Sequence, residues 1–435
     1  MEEDAQPIET PVLNGEEIQD QFKRLEKVVE EAQKRIDYRI AHNEDILKAI
    51  DIVERFLRKK RRVCYGGQAI NALLPAKDKF YDPEYTIPDY DFFSPMPDKD
   101  VDELIDMLEE EGFDNVSKKA GVHEGTLKVY VNYVAVADCS EINPKLFEII
   151  QKRSVAKDGI HYCDPDFLRM MMYLELSRPR GDVSRWKKVF ERLSLLNKYY
   201  SPKTCKGAFR YAKGIIHEER GALLEFCLQH RLPLCGPEIV YLLKQNKGLI
   251  QKEKLINMES PVICFSNQME KDADDLKDIL EAQTNEKYTV KSYSALTDQL
   301  FSYITIKRGS VPIALIFEET ACHGYTELYV SSGTYFRVST PDTLLHLYYS
   351  LELFGVEDSS FFKMALQCLV EKIYEINVRS LKKPTAFLSG FSLRCSGEQK
   401  GLATLLRERM ERTKQEKTRK KTKKAKSGTR RQANL

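Results

Sequence analysis

The sequence predicts a mixed α/β (α+β) protein: one complete α/β unit, a helical middle region, and a second, degenerate copy of the first unit. Three observations predict it. Short β-prone runs alternate with amphipathic helical stretches between residues 43 and 138, and the alternation restarts at Val262. The stretch between, from Pro165 to about Gly248, carries helical periodicity. Two pairs of segments also recur in the same order: Pro165–Leu176 is similar to Pro341–Leu353, 176 residues on, and Val131–Asp138 is similar to Val311–Glu318, 180 residues on. The implied division is 1–39 (a loose segment and helix), 40–160 (first unit), 161–255 (helical region), 256–395 (second unit) and 396–435 (a basic tail expected to be disordered).

Each element has its own signal. Residues 1–15 are polar, with Pro7 and Pro11. From Glu16 to about Arg35, Ile18, Phe22, Leu25, Val28, Val29 and Ala32 recur near helical spacing. Asn43 caps a second helix through Ile46, Leu47, Ile50, Val53 and Leu57, which ends on the basic run Arg58–Arg62. A strand, Val63–Tyr65, enters the turn Gly66-Gly67 and a helical Gln68–Leu74. Ile87–Phe93 reads as a strand with Pro88 at its entry, Asp98–Glu111 as a helix, and Thr126–Asp138 as one long β-run. Asp182–Tyr200 reads as a helix holding the single Trp. In the second unit, a helix over 270–283 is followed by strands near 287–292, 301–307 and 311–317, and by a helical region from Pro341 to about Ser380.

Bulk properties bound the class. A chain of 435 residues exceeds one ordinary core. Its 42% hydrophobic and 31% charged content is that of a soluble globular protein, and no apolar run approaches the roughly 18 to 20 residues that span a bilayer. The acidic start Met1–Ala5 lacks a signal-peptide profile, so an intracellular location is expected. Ten cysteines without a CxxC pair point to buried reduced thiols rather than a zinc site or disulfide framework. The net charge of +2 hides a tail in which residues 414–431 carry ten Lys/Arg against Glu416 alone. A solubilising or targeting tail and an arm for a polyanion both fit.

The chemistry concentrates in three places. Gly66 and Gly67, between a strand and a helix, let backbone N–H groups approach a phosphate. Asp89 and Asp91, two apart in a strand, project from one face, where they repel unless a cation lies between them. Mg²⁺ (or Mn²⁺) accepts such carboxylates together with substrate phosphates. Asp138, closing a later strand, would be the third ligand; three carboxylates can hold two ions about 3.5 to 4 Å apart. Arg178–Lys188 gathers cations beside Trp186, with Arg185, Lys187 and Lys188 suited to phosphate contacts. Each feature alone also fits an ordinary role: a tight turn, an exposed edge strand, a strand-end acid, a solvated helix face. The order of glycine pair, paired Asp and later strand Asp is what points to nucleotide chemistry. His161 and His323 have no partners at metal spacing and read as structural.

Tyr65–Leu74, Ile87–Ser94 and Arg185–Asn197 resemble the poly(A) polymerase catalytic subunits of nucleocytoplasmic large DNA viruses, of the mimivirus-like kind, over roughly residues 40–380. The resemblance implies a polymerase-β-like nucleotidyltransferase domain followed by an inactive domain of similar fold. It implies ATP and an RNA 3′ end as partners, AMP addition through two divalent ions at Asp89, Asp91 and Asp138, and no membrane. Gly66, Gly67 and Gln68 would face the nucleotide, with Gln68 standing where many nucleotidyltransferases have Ser. A host-cytoplasm, virus-factory or virion location and a homodimer are further expectations. The rivals are a CCA-adding or oligoadenylate-making enzyme and a non-catalytic RNA-binding or processivity subunit; the intact carboxylate trio speaks against the last.

Overall fold

The structure, a computed structural model, describes residues 14–121, 125–202, 205, 214–236, 249–250, 252–295, 300–330, 333–355, 366–383, 391–401, 404, 407, 410 and 411. The basic run 414–431 lies outside the described residues. Helix α1 (Gly15–Ala41) opens on a capping box: Asn14 accepts from the Glu16 and Glu17 N–H groups, and Glu17 accepts from the Asn14 N–H. Its apolar stripe is real but unburied, with Ile18, Phe22, Leu25, Val28, Val29 and Ile36 all exposed. Helix α2 (Glu44–Lys60) starts where Asn43 caps the Ile46 N–H and buries Ile46, Ile50, Val53, Phe56 and Leu57.

The first unit continues with β1 (Val63–Tyr65), α3 (Gly66–Leu73), β2 (Tyr90–Ser94), α4 (Pro97–Glu110), β3 (Val116–Ala120), β4 (Thr126–Val131), β5 (Val134–Glu141), α5 (Pro144–Arg153), β6 (Val155–Lys157) and β7 (Ile160–Tyr162). They form a seven-stranded sheet in the order β3-β4-β5-β2-β1-β7-β6. Two expectations are corrected here. The run Thr126–Asp138 is a hairpin, turned by Asn132 and Tyr133 at φ +48° and +67°. Because β-prone residues continue through that two-residue turn, the break left no mark in composition. Asp138 therefore lies inside β5 rather than closing a strand. The strand expected from Ile87 begins only at Tyr90, since Pro88 donates no N–H and restrains Ile87; Asp89 sits just outside it.

The chain then runs through α6 (Pro165–Leu176), α7 (Trp186–Tyr199), α8 (His217–Gln229), β8 (Leu249–Ile250), α9 (Lys252–Ile256), β9 (Val262–Ser266), α10 (Met269–Thr284), β10 (Thr289–Tyr293), β11 (Tyr303–Arg308), β12 (Val311–Glu318), β13 (His323–Val330), β14 (Tyr335–Ser339), α11 (Pro341–Phe354), α12 (Leu366–Lys382) and β15 (Cys395–Ser396). The single helical region expected after Pro341 is two helices, the first ending at Gly355 with φ +81°.

The second unit repeats the first in detail. Sheet order β10-β11-β12-β9 matches β3-β4-β5-β2, with β12 parallel to β9 as β5 is to β2. A bulge interrupts β4–β5 at Val129/Tyr130 and β11–β12 at Ile306/Lys307, 177 residues later. Ser94 donates to Asp100 and accepts the Met96 N–H; Ser266 donates to Asp272 and accepts the Gln268 N–H. Even β1 has a remnant: Leu234 bridges Cys264 and Val338 as Cys64 pairs with Phe92 and Tyr162. The copies meet through α6 and α11. Tyr173 stacks on Tyr349 with ring centroids 6.3 Å apart, and His346 Nδ1 lies 3.2 Å from the Met170 carbonyl. Each pair joins residues 176 apart, so equivalent positions face each other about a local two-fold.

The registers also correct an alignment. Ser94 pairs with Glu141 and Ser266 with Glu318, so Glu318 is the counterpart of Glu141, not of Asp138. Apolar strings match almost equally well when slid along one another; hydrogen-bond register decides between the matches. Nor are all cysteines reduced. Cys205–Cys368 and Cys322–Cys395 are disulfides, while Cys64, Cys139, Cys163, Cys227, Cys235 and Cys264 are buried thiols. Both bridges join residues far apart in sequence, beyond the reach of spacing rules. Among the described residues, no helix is long and apolar enough to cross a membrane.

Candidate active site

Sheet register builds the site. Strand β1 sets Tyr65 opposite Asp91 on β2, and β2 sets Asp91 opposite Asp138 on the parallel β5. Asp89 lies two residues before Asp91, and its carbonyl accepts the Asp91 N–H at 3.2 Å. Asp138 is buried, Asp91 half-buried and Asp89 exposed. On β4, Lys128 stands opposite Asp138 and pairs with its Oδ2. Oδ1 of Asp138 is buried with no hydrogen-bond partner among the described residues.

Two of the acids are disturbed by burial and by their acidic neighbours. Burial, then the charges of Asp89 and Asp138, push the Asp91 carboxyl up to about 7. The carboxyl of Asp89 is raised too, first by loss of solvent from the surrounding wall and then by Asp138; Lys128, Lys188 and Arg192 oppose the shift. Such a group is stressed as a set of anions and relieved by a cation.

The glycine pair closes one side. Gly66 has φ +72°, and a Cβ there would lie 2.5 Å from Asp91 Oδ2, so only glycine fits. It opens α3, whose N-cap Tyr65 offers no side-chain hydrogen bond, leaving first-turn N–H groups for an anion. A Cβ on Gly67 would collide with the Tyr81 hydroxyl and approach Arg192 Nη1 to 2.8 Å. Gln68 is half-buried in the first turn of α3.

Helix α7 brings cations to the other side. Lys188 and Arg192, one turn apart, both act on Asp89; mutual repulsion with Arg192 is the first cause lowering the Lys188 ammonium. Arg185 acts on Asp91 while bridging to Glu175 at 3.3 Å. Lys187 is exposed on a different face of the helix, and the structure does not bring it to the acids. Trp186 donates its indole N–H to the Glu175 carbonyl at 3.0 Å and lies 6.0 Å from the Phe391 ring, wedged between elements.

Sequence reasoning missed two residues. Arg192 lies over the Phe80 ring at 4.6 Å, bonds the Tyr81 hydroxyl at 2.9 Å and faces Gly67. Its signal was readable: it falls four residues after Lys188, on the same helical face. Lys128 was not readable, because its position opposite Asp138 exists only once 126–138 is seen as a hairpin.

Among the described residues, no three His, Cys, Asp or Glu side chains converge as a finished metal-ligand group. The residues nonetheless fit a divalent cation on two observations: the orphaned buried Oδ1 of Asp138, and an Asp91 carboxyl raised by burial and then by its acidic neighbours.

Residues 51–182 match the family model described as poly(A) polymerase catalytic subunit. A curated relative named for that subunit, from African swine fever virus, is 36% identical over 168 residues, covering 37% of this chain and 35% of the relative. Another, from Acanthamoeba polyphaga mimivirus, is 32% identical over 155 residues, covering 35% of this chain and 26% of the relative. The matched stretch thus spans about a third or less of these relatives' length. The crystal structure of the Megavirus polyadenylate synthase superposes with a TM-score of 0.76 at 20% identity, over 95% of this chain and 86% of that one. The resemblance to viral poly(A) polymerase catalytic subunits and the nucleotidyltransferase fold class are borne out, the fold through both copies.

Proposed function

We propose that this chain, which shares the fold of a viral polyadenylate synthase, adds AMP from ATP to RNA 3′ ends and releases pyrophosphate. One observation carries the reading. Register places Asp91 beside Asp138, with Asp89 two residues away, against a Gly66 that admits no side chain.

Asp89, Asp91 and Asp138 would hold the divalent ions, Mg²⁺ or Mn²⁺. When bound, such ions polarise the phosphoryl group and make a hydroxyl a better nucleophile at neutral pH. The chain's own groups do the rest. The open first turn of α3 and the Gly66-Gly67 backbone admit the triphosphate. Arg192, Lys188 and Arg185 offset its charge, and Gln68 lies at the same helix end. Asp138 Oδ1, free of other bonds, is the atom available to accept a hydrogen bond from the RNA 3′-hydroxyl. As Asp138 Oδ1 takes up the hydroxyl proton, the 3′-oxygen forms the new bond to the α-phosphorus, the bond from that phosphorus to the bridging oxygen breaks, and pyrophosphate leaves with the electron pair.

The test is primer extension on a short RNA with each NTP. ATP incorporation dependent on Mg²⁺ or Mn²⁺ is expected, with Asp89→Asn and Asp91→Asn at background and both variants folded by thermal melting. Wild-type incorporation by either variant would remove the acids from the site. A wild-type chain that extends no primer with any NTP would overturn the function.

A further inference from the structure

Lys128 is half-buried, with 32% of its side-chain surface exposed, and its ammonium pairs with Oδ2 of Asp138. The pairing is not a chance meeting of long side chains. Lys128 and Asp138 are direct register partners on antiparallel strands, so both project from the same face of the sheet. The lysine's charge also offsets that of the acids at both Asp89 and Asp91.

The second unit supplies an internal control. With the bulges superposed, Lys128 corresponds to Thr305 and Asp138 to Leu315, and these two are again register partners. Both are buried. The lysine and its acid were thus lost together, while the hairpin, its register and its bulge all stayed. A lysine at this position is not needed to build β4–β5. It accompanies the carboxylate.

We propose that Lys128 is a positioning residue for Asp138: it grips Oδ2 and so leaves Oδ1, buried and otherwise unbonded, as the oxygen offered to the reaction site. Two costs follow from that grip. Without the ammonium, Asp138 can turn, and a displacement of about 1 Å at such a site can slow a reaction by about a hundredfold. With it, an arriving cation competes with a resident positive charge for the same carboxylate. The inference rests on the proposed nucleotidyl transfer.

The experiment uses the full chain with Lys128→Thr, the residue the second unit carries at this position, and Lys128→Arg. Lys128→Thr is expected to melt near the wild-type temperature. Its kcat should fall about tenfold or more, with KM for ATP within about twofold. Lys128→Arg should recover most of the loss, since a guanidinium can hold the same oxygen. A second readout needs no turnover: Mn²⁺ binding, without nucleotide, should tighten about threefold in Lys128→Thr because the competing charge is gone. Slower turnover with tighter metal binding is a split that general damage does not produce, because damage weakens both.

Unchanged kcat in Lys128→Thr, or Mn²⁺ binding that weakens alongside kcat, would overturn the proposal. If the wild type extends no RNA, the nucleotidyl-transfer reading fails by itself. The Mn²⁺ titration of Lys128→Thr then still decides: tightening supports the grip on Asp138, and an unchanged or weaker Kd removes it.

Discussion

Asp91 is held in an uncomfortable position for a carboxylate, and melting experiments can read its discomfort. Its carboxyl is pushed up to about 7 by burial and by Asp89 and Asp138, whereas an unfolded aspartate titrates near 3.9. Between those values the folded chain binds more protons than the unfolded one, so this group's contribution to stability falls as pH rises from about 4 to about 7. Removing the charge should remove the penalty. In the metal-free protein, Asp91→Asn is expected to melt above wild type at pH 8, with the gap narrowing toward pH 4. Melting curves across that range in chelator check it, and a gap constant with pH would mean that Asp91 is not ionising against its neighbours. The identities of Asp89, Asp91, Gly66 and Gly67 as candidates were legible because their spacing is local. Lys128 was not, because only a strand pairing brings it to Asp138.

At the scale of elements, the β4–β5 hairpin does most to place the site. Its turn is held by Asn132 and Tyr133, both in left-handed backbone. Asn tolerates that region, but Tyr does not, and Tyr133 is 84% exposed, so it repays little through packing. Tyr133→Gly is therefore expected to stabilise the chain by about 0.5 to 1 kcal/mol, the left-handed strain removed less the backbone entropy of glycine. Denaturant melts read the change directly; a loss of stability would mean that the tyrosine ring holds the turn. The same hairpin explains why element-level reading failed here. Periodicity reports which residues are apolar, and this turn contains no glycine or proline to interrupt the pattern.

Among the described residues, the molecule has two copies of one architecture and one set of clustered acids. Following the registers, Asp89, Asp91 and Asp138 correspond to Pro261, Ile263 and Leu315. Ile263 and Leu315 are completely buried, so the second unit has exchanged a repulsive anionic cluster for apolar core. Glu318, which sequence similarity alone would set against Asp138, is the counterpart of Glu141 at the strand's far end. Glu318→Gln is accordingly expected to leave primer extension within about twofold of wild type, as a substitution away from the reacting groups should. A large loss of kcat in a folded Glu318→Gln chain would mean that the second unit contributes directly to the reaction. In the structure, α11 of the second unit packs against α6, beside the helix α7 that carries Lys188 and Arg192.

What the sequence determined by itself was local. The helix cap at Asn43, the glycine turn, the paired Asp motif and the alternation of strands with helices depend on residues within a few positions of one another, and short-range physics writes such features into composition and period. The existence of a duplication was legible in the same way. Only the tertiary structure decided which carboxylate faces which, because strand register is set by hydrogen bonds and bulges that apolar patterning does not encode. It moved Glu318 away from the place of Asp138 and brought Lys128 to that acid. It also closed Cys205 onto Cys368 and Cys322 onto Cys395 across spans that no spacing rule covers. The acids were written in the chain; their arrangement as one site is a property of the sheet.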